Sequence, residues 1–159
     1  MRAAPGFIAL AGVLGVAACH PATTPATAGP SRASQVTLAV LSAESATFPR
    51  VARAITESLA NARVSGVDQT QLSKVSLEIV QLSIECVEQT VDCYEQVGHS
   101  LAANRLLFAQ LAPDGRRHVK VTVTLFDVDA RAPRRAEKVF TSEEAATRGV
   151  AELVAEATR

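Results

Sequence analysis

The sequence predicts an α+β fold, with a small three- or four-stranded sheet and helices packed largely on one face. Three observations predict it. The short β-rich run Val36–Leu41 opens the domain. Residues 105–141 have the pattern of a β-meander, and the segments before and after it repeat apolar residues at helical spacing. The predicted order of elements is β-α-α-α-β-β-β-α.

The composition indicates one domain with an ordinary hydrophobic core. The chain has 159 residues, of which 48% are hydrophobic, and its 16 basic residues balance its 16 acidic ones. This length is enough for one core and not for two. Because there is no basic excess, we expect no nucleic-acid partner.

The N-terminus has the pattern of a secretion signal. Met1-Arg2 is a short positive region, and the uncharged apolar run Phe7–Ala18 follows it. The twelve residues of that run would rise only ~18 Å as a helix, less than the ~30 Å of a bilayer core. Residues 1–18 are therefore predicted to be a signal peptide and not a membrane span.

The apolar run ends in Val16-Ala17-Ala18-Cys19, which resembles the lipobox of bacterial lipoproteins. The resemblance implies that Cys19 is lipidated, that the chain is cleaved before it and that the new N-terminus is acylated. Several acyl chains anchor a protein stably. His20 stands where many inner-membrane lipoproteins have Asp, so we expect the outer membrane, facing the periplasm, rather than the inner membrane. An ordinary secretion signal with an incidental cysteine is the alternative.

Residues 20–34 are predicted to be a spacer. The segment His20–Ser34 consists of Pro, Ala, Thr, Ser and Gly with one His and one Arg. Such a composition cannot bury enough apolar surface to order itself. Residues 19–34 are therefore interpreted as a lipidated Cys and a flexible Pro/Ala/Thr tether, and the folded domain is expected to cover residues 35–159.

A first helix is predicted after the opening strand. Pro49 suits the first turn of a helix because its missing N–H would have no partner there. Val51, Ile55 and Leu59 then repeat at helical spacing to about Ala62.

The next segment, Gln69–Cys86, fits two patterns. As a strand, Val75, Leu77 and Ile79 alternate with polar residues, but the phase slips at Val80. As a helix, one polar and one apolar stripe run through it without a slip. The helix is therefore preferred, with an apolar stripe made of Leu72, Val75, Ile79, Leu82 and Cys86.

The second half of the domain is predicted to contain a helix, a β-meander and a final helix. Asp92 is the predicted N-cap of the first of these helices. The final helix is predicted to begin with a capping box at Thr141–Glu144. The predicted elements are a helix Cys93–Ala103, strands Arg105–Leu111, Val119–Leu125 and Glu137–Thr141, the last at an edge, and a helix to Ala157.

The stretch ECVEQTVDCYEQVGHSLAANRLLFAQL, followed by a Gly turn and VKVTVTLFDVDA, resembles the TolB amino-terminal-like domains of bacterial envelope lipoproteins. The shared pattern is a pair of cysteines, a helix, a strand and a hairpin that ends in Asp127-Val128-Asp129. The resemblance covers about residues 36–157, and Ala103-Asn104 departs from the usual residues. It implies a domain that binds other proteins and is not an enzyme.

Cys86 and Cys93 are predicted to form a disulfide, because they remain as a pair once Cys19 is lipidated in an oxidising compartment. Residues seven apart on one helix have Cα atoms ~10.5 Å apart, beyond the ~7 Å that a disulfide spans. The prediction therefore requires a helix break between them, for which Thr90-Val91-Asp92 is suited. Two separately buried thiols are the alternative.

The candidate catalytic and metal-binding residues form no recognised constellation. Cys86, Cys93 and His99 match no usual zinc spacing. Asp127 and Asp129 would be the acid–base pair of a hydrolase, but a strand that leads into a charged turn explains them better. The chain has no G-x-S-x-G, P-loop or dinucleotide motif. We therefore expect no catalytic residue, no metal and no cofactor.

Five arginines are candidate partner-binding residues. Arg116 and Arg117 lie at one predicted turn, and Arg131, Arg134 and Arg135 lie at another. If the two turns are neighbours, the five side chains would meet an acidic partner or an anionic surface. Solvated hairpin turns are the simpler interpretation.

These observations predict a membrane-anchored, non-catalytic protein-binding module of the cell envelope. Its anchor would be the lipid on Cys19, and its partner an unidentified periplasmic or outer-membrane protein. Strand addition at the predicted edge strand Glu137–Thr141 is the expected docking mode. Regulation of peptidoglycan synthesis is the more specific version, and a small envelope hydrolase is the alternative.

Overall fold

A computed structural model describes residues 35–159 of the chain. The predicted signal peptide, the predicted lipidation site Cys19 and the predicted tether lie outside the described residues. The described residues belong to one compact unit. In chain order the elements are β1 Thr37–Ser42, α1 Pro49–Ala60, β2 Gln69–Ser76, α2 Leu77–Ser83, α3 Val91–Ser100, β3 Arg105–Asp114, β4 His118–Asp127, β5 Ala132–Phe140 and α4 Glu143–Ala157.

The five strands form one mixed sheet in the order β2-β1-β3-β4-β5. β1 pairs in parallel with both β2 and β3, whereas β3, β4 and β5 pair antiparallel. Parallel strands need crossover connections, which α1 supplies between β1 and β2, and α2 with α3 between β2 and β3. β2 and β5 each have one neighbour and are the two edges of the described sheet.

Helices cover both faces of this sheet. On one face, alternate strand residues such as Val40 and Val121 cluster with Ile55 of α1 and Val150 of α4. On the other face, the intervening strand residues cluster with α2 and α3. The period of two in each strand sends successive side chains to opposite faces, so the same strands supply both hydrophobic clusters.

The core between the sheet and α3 is built around an aromatic group. The ring of Tyr94 lies 5.1 Å from that of Phe108 and 5.5 Å from that of Phe126, measured between centroids. Leu77 and Val80 bring α2 into the same cluster. α2 is short, and these two buried side chains are its main attachment to the sheet.

The predicted fold class needs correction. The chain is α+β, but the sheet has five strands and not three or four, and the helices cover both faces and not largely one. The observed order is β-α-β-α-α-β-β-β-α. The predicted order, β-α-α-α-β-β-β-α, was wrong because it lacked β2.

The error lies in the segment 69–86, which holds a strand and a short helix and not one helix. β2 ends at Ser76 and α2 begins at Leu77, close to the phase slip seen at Val80. The predicted core stripe therefore spans two elements, and Leu72 and Leu82 of that stripe are 61% and 62% exposed. The backbone of β2 pairs with β1, and this pairing outweighs a helical pattern that arose by chance.

The helix starts agree with the sequence in part. The N-cap of α3 is Thr90 and not the predicted Asp92, because the Thr90 side chain accepts a hydrogen bond from the Cys93 N–H at 3.2 Å. α4 begins one residue later than the capping box Thr141–Glu144 implies, because its N-cap is Ser142, whose hydroxyl accepts from the Ala145 N–H at 3.1 Å. The predicted N-cap of α3 is two residues too late along the chain, but the predicted buried side of the helix is unchanged.

Candidate functional site

Exposed aliphatic side chains concentrate in one stretch of the described chain. Six large hydrophobic side chains are exposed among residues 35–159, and five of them lie between residues 72 and 87. We call these five the β2–α2 surface: Leu72, Val75, Ile79, Leu82 and Val87. Leu72 lies beside Val40, on the sheet face that α1 and α4 cover, whereas Ile79 and Leu82 belong to α2 on the other face. The name therefore covers two exposed apolar areas that adjoin in sequence, one on the strand and one on the helix and its loop. Exposed apolar areas of this kind mark interaction surfaces.

β2 contributes an open strand edge to this surface. The N–H groups of Asp68 and Gln69 both donate to the carbonyl of Val36, the residue before β1, at 2.9 and 3.2 Å. Asn104 binds the N–H and the carbonyl of Thr37 on the β3 side, so Leu38 faces β2 and bonds to Gln69 and Gln71. In a parallel ladder, alternate residues bond to the same neighbour, so the N–H and C=O groups of Thr70 and Leu72 point away from β1. No strand lies beyond β2 in the described sheet, and these four groups are available to another chain.

α2 contributes an apolar outer face. Leu77 and Val80 are buried against the sheet, whereas Ile79 is 47% and Leu82 is 62% exposed. Ile79 and Leu82 are three residues apart and therefore lie on the same side of the helix. The sheet covers only one of the two apolar sides of α2, so the other side is open to a partner.

The loop after α2 is tied to α3 at the two cysteines. The Cα atoms of Cys86 and Cys93 are 5.6 Å apart, at disulfide distance. The break that a disulfide requires is present, because α2 ends at Ser83 and α3 begins at Val91. The Gln81 side-chain amide lies 3.2 Å from the Cys93 sulfur, and it is buried in this joint. The exposed Val87 is carried on the loop that this pair closes.

The opposite edge, β5, is polar. The nine residues of β5 include Pro133, which cannot donate a backbone hydrogen bond, and four charged residues. Glu137 accepts a hydrogen bond from Lys120 at 2.8 Å and another from Thr122 at 3.0 Å. The Lys120 hydrogen bond, followed by the Thr122 hydrogen bond, lowers the pKa of Glu137 below its ordinary value.

The five arginines predicted from the sequence do not form one cluster. Arg116 and Arg117 lie in the β3–β4 turn, and Arg131, Arg134 and Arg135 lie at or after the β4–β5 turn. The ten residues of β4 separate the two turns, a length of about 30 Å. The turns are therefore at opposite ends of the sheet, and the partner-binding role of these arginines remains a prediction.

Two of these arginines have partners within the chain. Arg131, at positive φ in the turn, forms ion pairs with Asp92 and, at 3.4 Å, with Glu95. Arg134 donates to the backbone carbonyl of Arg159. These contacts fasten the β4–β5 turn to α3 and the start of β5 to the end of the chain.

Arg135 lies on the face of the sheet that α3 covers, near the hydroxyl of Tyr94. Burial raises the pKa of Tyr94, and the positive charge of Arg135 acts in the opposite direction. Arg135 therefore lies beside the aromatic group of the core.

The candidate catalytic carboxylates are held by the turn after β4. Asp127 accepts from the Ala130 N–H at 2.8 Å and lies 3.5 Å from Arg105. Asp129 accepts from the side-chain amide of Asn104 at 3.0 Å. These contacts fit the structural interpretation made from the sequence, in which a strand leads into a charged turn.

Asn104 joins three parts of the fold. Its backbone N–H donates to the Thr37 carbonyl at 2.9 Å, and its side-chain oxygen accepts from the Thr37 N–H at 3.0 Å. Its carbonyl accepts from the Val128 N–H at 2.8 Å. It therefore fixes the start of β1 against the end of β4, a structural role that the sequence did not indicate.

His99 and the cysteines are not arranged as a metal site. His99 is exposed on α3 and lies 3.8 Å from Glu95, whereas Cys86 and Cys93 pair with each other. Within residues 35–159, no group of three or more His, Cys, Asp or Glu residues is placed to hold a metal ion.

The β2–α2 surface was missed because four of its five residues, all but Val87, were interpreted as a core stripe. One signal was available, since the phase slip at Val80 marks the junction of two elements. Even with that junction known, the sequence would not have shown that β2 lies at an edge.

No protein-family model matches this chain, and no curated protein matches it. The resemblance to TolB amino-terminal-like domains therefore stays a prediction. In the part of the chain from residue 35 onward, no helix has the length and apolar character needed to cross a membrane.

Proposed function

We propose that this protein is a membrane-anchored, non-catalytic module that docks on another protein of the cell envelope through α2 and the loop that follows it. The observation that carries the proposal is the concentration of exposed aliphatic side chains there. Leu82 is 62% and Val87 is 68% exposed.

The physical argument is the cost of leaving these side chains in water. Fully burying one aliphatic side chain contributes about 1.5–3 kcal/mol, and those of Ile79, Leu82 and Val87 are about half to two-thirds exposed. A partner that covers all three gains a hydrophobic centre of the kind that dominates protein interfaces. The pairing of Cys86 with Cys93 restrains the loop, so binding a partner costs little conformational entropy.

The anchor in this proposal is lipid on Cys19, as the lipobox-like sequence predicts. Two or more acyl chains keep a protein on a membrane, and a tether of residues 20–34 would let the domain reach a partner in the same layer. Confinement raises the effective concentration of the domain near its partner. Recruitment of a partner, without chemistry, is the proposed mechanism.

The test is photocrosslinking in cells, with a photoreactive amino acid placed at Leu82 or at Val87. Val139 of β5 is the matched control, because it is 45% exposed on the other edge. We expect one defined partner to be captured from both α2-side positions and not from Val139. Equal capture from all three positions, or none from any of them, would contradict the proposal.

A second arm tests whether the capture depends on the surface and on the anchor. Leu82→Ser removes an exposed apolar side chain, so the fold should be retained while capture from Val87 falls. Cys19→Ser should move the protein out of the membrane fraction and reduce capture. A captured product that is unchanged in both variants would argue against docking through this surface.

A further inference from the structure

We propose that two copies of this chain pair along β2, antiparallel about a two-fold axis at Gln71, and so join their sheets into one. The proposal concerns the strand edge, whereas the proposed function concerns α2 and its loop. The two can therefore fail independently.

The backbone of β2 selects the register. The outward N–H and C=O groups belong to Thr70 and Leu72, because the ladder to β1 uses Gln69 and Gln71. When Gln71 faces Gln71 of the second copy, Thr70 of each copy faces Leu72 of the other. Each such pair exchanges two hydrogen bonds in an antiparallel ladder, so all four outward groups of each copy are satisfied.

The charges favour the same register. β2 carries one charged residue, Lys74, and the exposed Asp68 precedes the strand. The Asp68 carboxylate accepts a hydrogen bond from the Val36 N–H through Oδ2 at 2.8 Å, which leaves its Oδ1 for a second donor. Lys74 lies where the register to β1 shifts, and pairing about Gln71 brings its long side chain toward Asp68 of the other copy, so that two ion pairs can form across the axis. Opposite charges across a strand pair stabilise it, and like charges destabilise it.

Other registers lose one of these features. An axis at Leu72 places Lys74 opposite Thr70 and leaves Asp68 without an opposite charge. An axis at Lys74 sets two ammonium groups against each other. Only the axis at Gln71 both satisfies the backbone groups and pairs the charges, so the surface is self-complementary in the sense that a two-fold interface requires.

An exposed apolar residue of β2 fits this arrangement. Leu72 lies beside Val40 in the sheet, so its side chain is on the face that α1 and α4 cover, and it is 61% exposed. A strand added at β2 would cover it.

The strand pair is small beside the ~1,600 Å² of a standard protein interface. We therefore expect a dimer that exchanges with monomer in solution. Sedimentation velocity over a series of concentrations tests this, using the chain from residue 19 with Cys19→Ser so that no lipid is attached. The expected result is a sedimentation coefficient that rises with concentration from the monomer value toward that of a dimer.

Charge exchange at the axis tests the register. Gln71→Lys or Gln71→Glu alone places like charges opposite each other, and each should weaken the dimer by up to about fivefold. A mixture of the two variants should restore association as a heterodimer. A monomer at every concentration, or a mixture that associates no better than the single variants, would overturn the proposal.

A covalent trap gives an independent measurement. Facing residues in a non-hydrogen-bonded antiparallel pair have Cα atoms ~4.5 Å apart, close enough for a disulfide. Gln71→Cys should therefore form a covalent dimer on mild oxidation, and the exposed control Val139→Cys should not. Equal dimer from both variants would show random collision and count against the pairing. Leu82→Ser should leave the dimer unchanged, which separates this proposal from the proposed function.

Discussion

The two edges of the sheet differ in how they meet the solvent. β5 has four charged side chains among nine residues, together with Pro133, whereas β2 has one charged side chain among eight. Charges and proline on an edge are the usual means by which a sheet avoids pairing with another chain. β5 is protected in this way and β2 is not, a difference that the proposed strand pairing requires.

The edges also differ in how firmly they are held. β5 pairs with β4 in unbroken register over all nine of its residues. β2 pairs with β1 from Gln69 to Leu72, and the register then shifts before Ser76. The strand with the open edge is therefore also the one with fewer ladder contacts, so pairing with a further strand would stabilise it more than it would stabilise β5.

A pair of proline substitutions in β2 tests which side of the strand is open. Gln71→Pro removes an N–H that bonds to β1 and should destabilise the domain by about 3 kcal/mol or more. Thr70→Pro removes an outward N–H, which edge strands tolerate, and should cost about 1 kcal/mol or less. Urea denaturation of the two variants measures the difference. Equal losses would show that both sides of β2 carry ladder bonds.

Removing the cysteine pair tests what holds the β2–α2 side of the domain. A disulfide between Cys86 and Cys93, with a sequence separation of seven, closes a loop whose entropy gives about 2 to 3 kcal/mol. The double variant Cys86→Ala with Cys93→Ala should lose about that much stability. Amide hydrogen exchange should rise in α2 and its loop, while β5 stays protected. Two thiols free to alkylate in the secreted protein would exclude the disulfide.

The elements that could be predicted from the sequence are those whose apolar pattern stays within one element. The meander strands alternate in phase, and α1 keeps one period from Val51 to Leu59, so pattern and packing agree. The segment 69–86 could not be predicted, because a strand and a short helix adjoin there and their apolar residues happen to repeat at helical spacing.

The candidate site was harder to predict than the fold. Periodicity shows which residues share a side of an element, but it does not show whether that side is covered. Leu72 and Leu82 have the pattern of core residues, and only the strand order reveals that they lie at an edge and on an uncovered helix face. The sequence likewise did not show whether the two arginine-bearing turns are neighbours, because a turn's place in the sheet depends on strand length and direction.

The smallest expected effect concerns the charge pattern that protects β5. The Lys120 hydrogen bond, followed by that of Thr122, lowers the pKa of Glu137. Its carboxylate therefore stabilises the fold at pH values above the pKa of an unfolded glutamate, and this contribution is lost as the pH falls through the lower folded pKa. We expect Lys120→Met to raise the pKa of Glu137 in an NMR titration, though not fully to the ordinary value, because Thr122 still donates.

Lys138→Met is the matched control for that titration. Lys138 precedes the aromatic residue of β5, and its ammonium lies 5.3 Å from the centre of the Phe140 ring. Lys138 alternates with Glu137 along the strand, so the two side chains point to opposite faces of the sheet. Its loss should leave the pKa of Glu137 nearly unchanged. An equal shift of that pKa in both variants would show that the total charge of β5, and not the Lys120–Glu137 pair, lowers the pKa. β5 would then differ from β2 only in its number of charged residues.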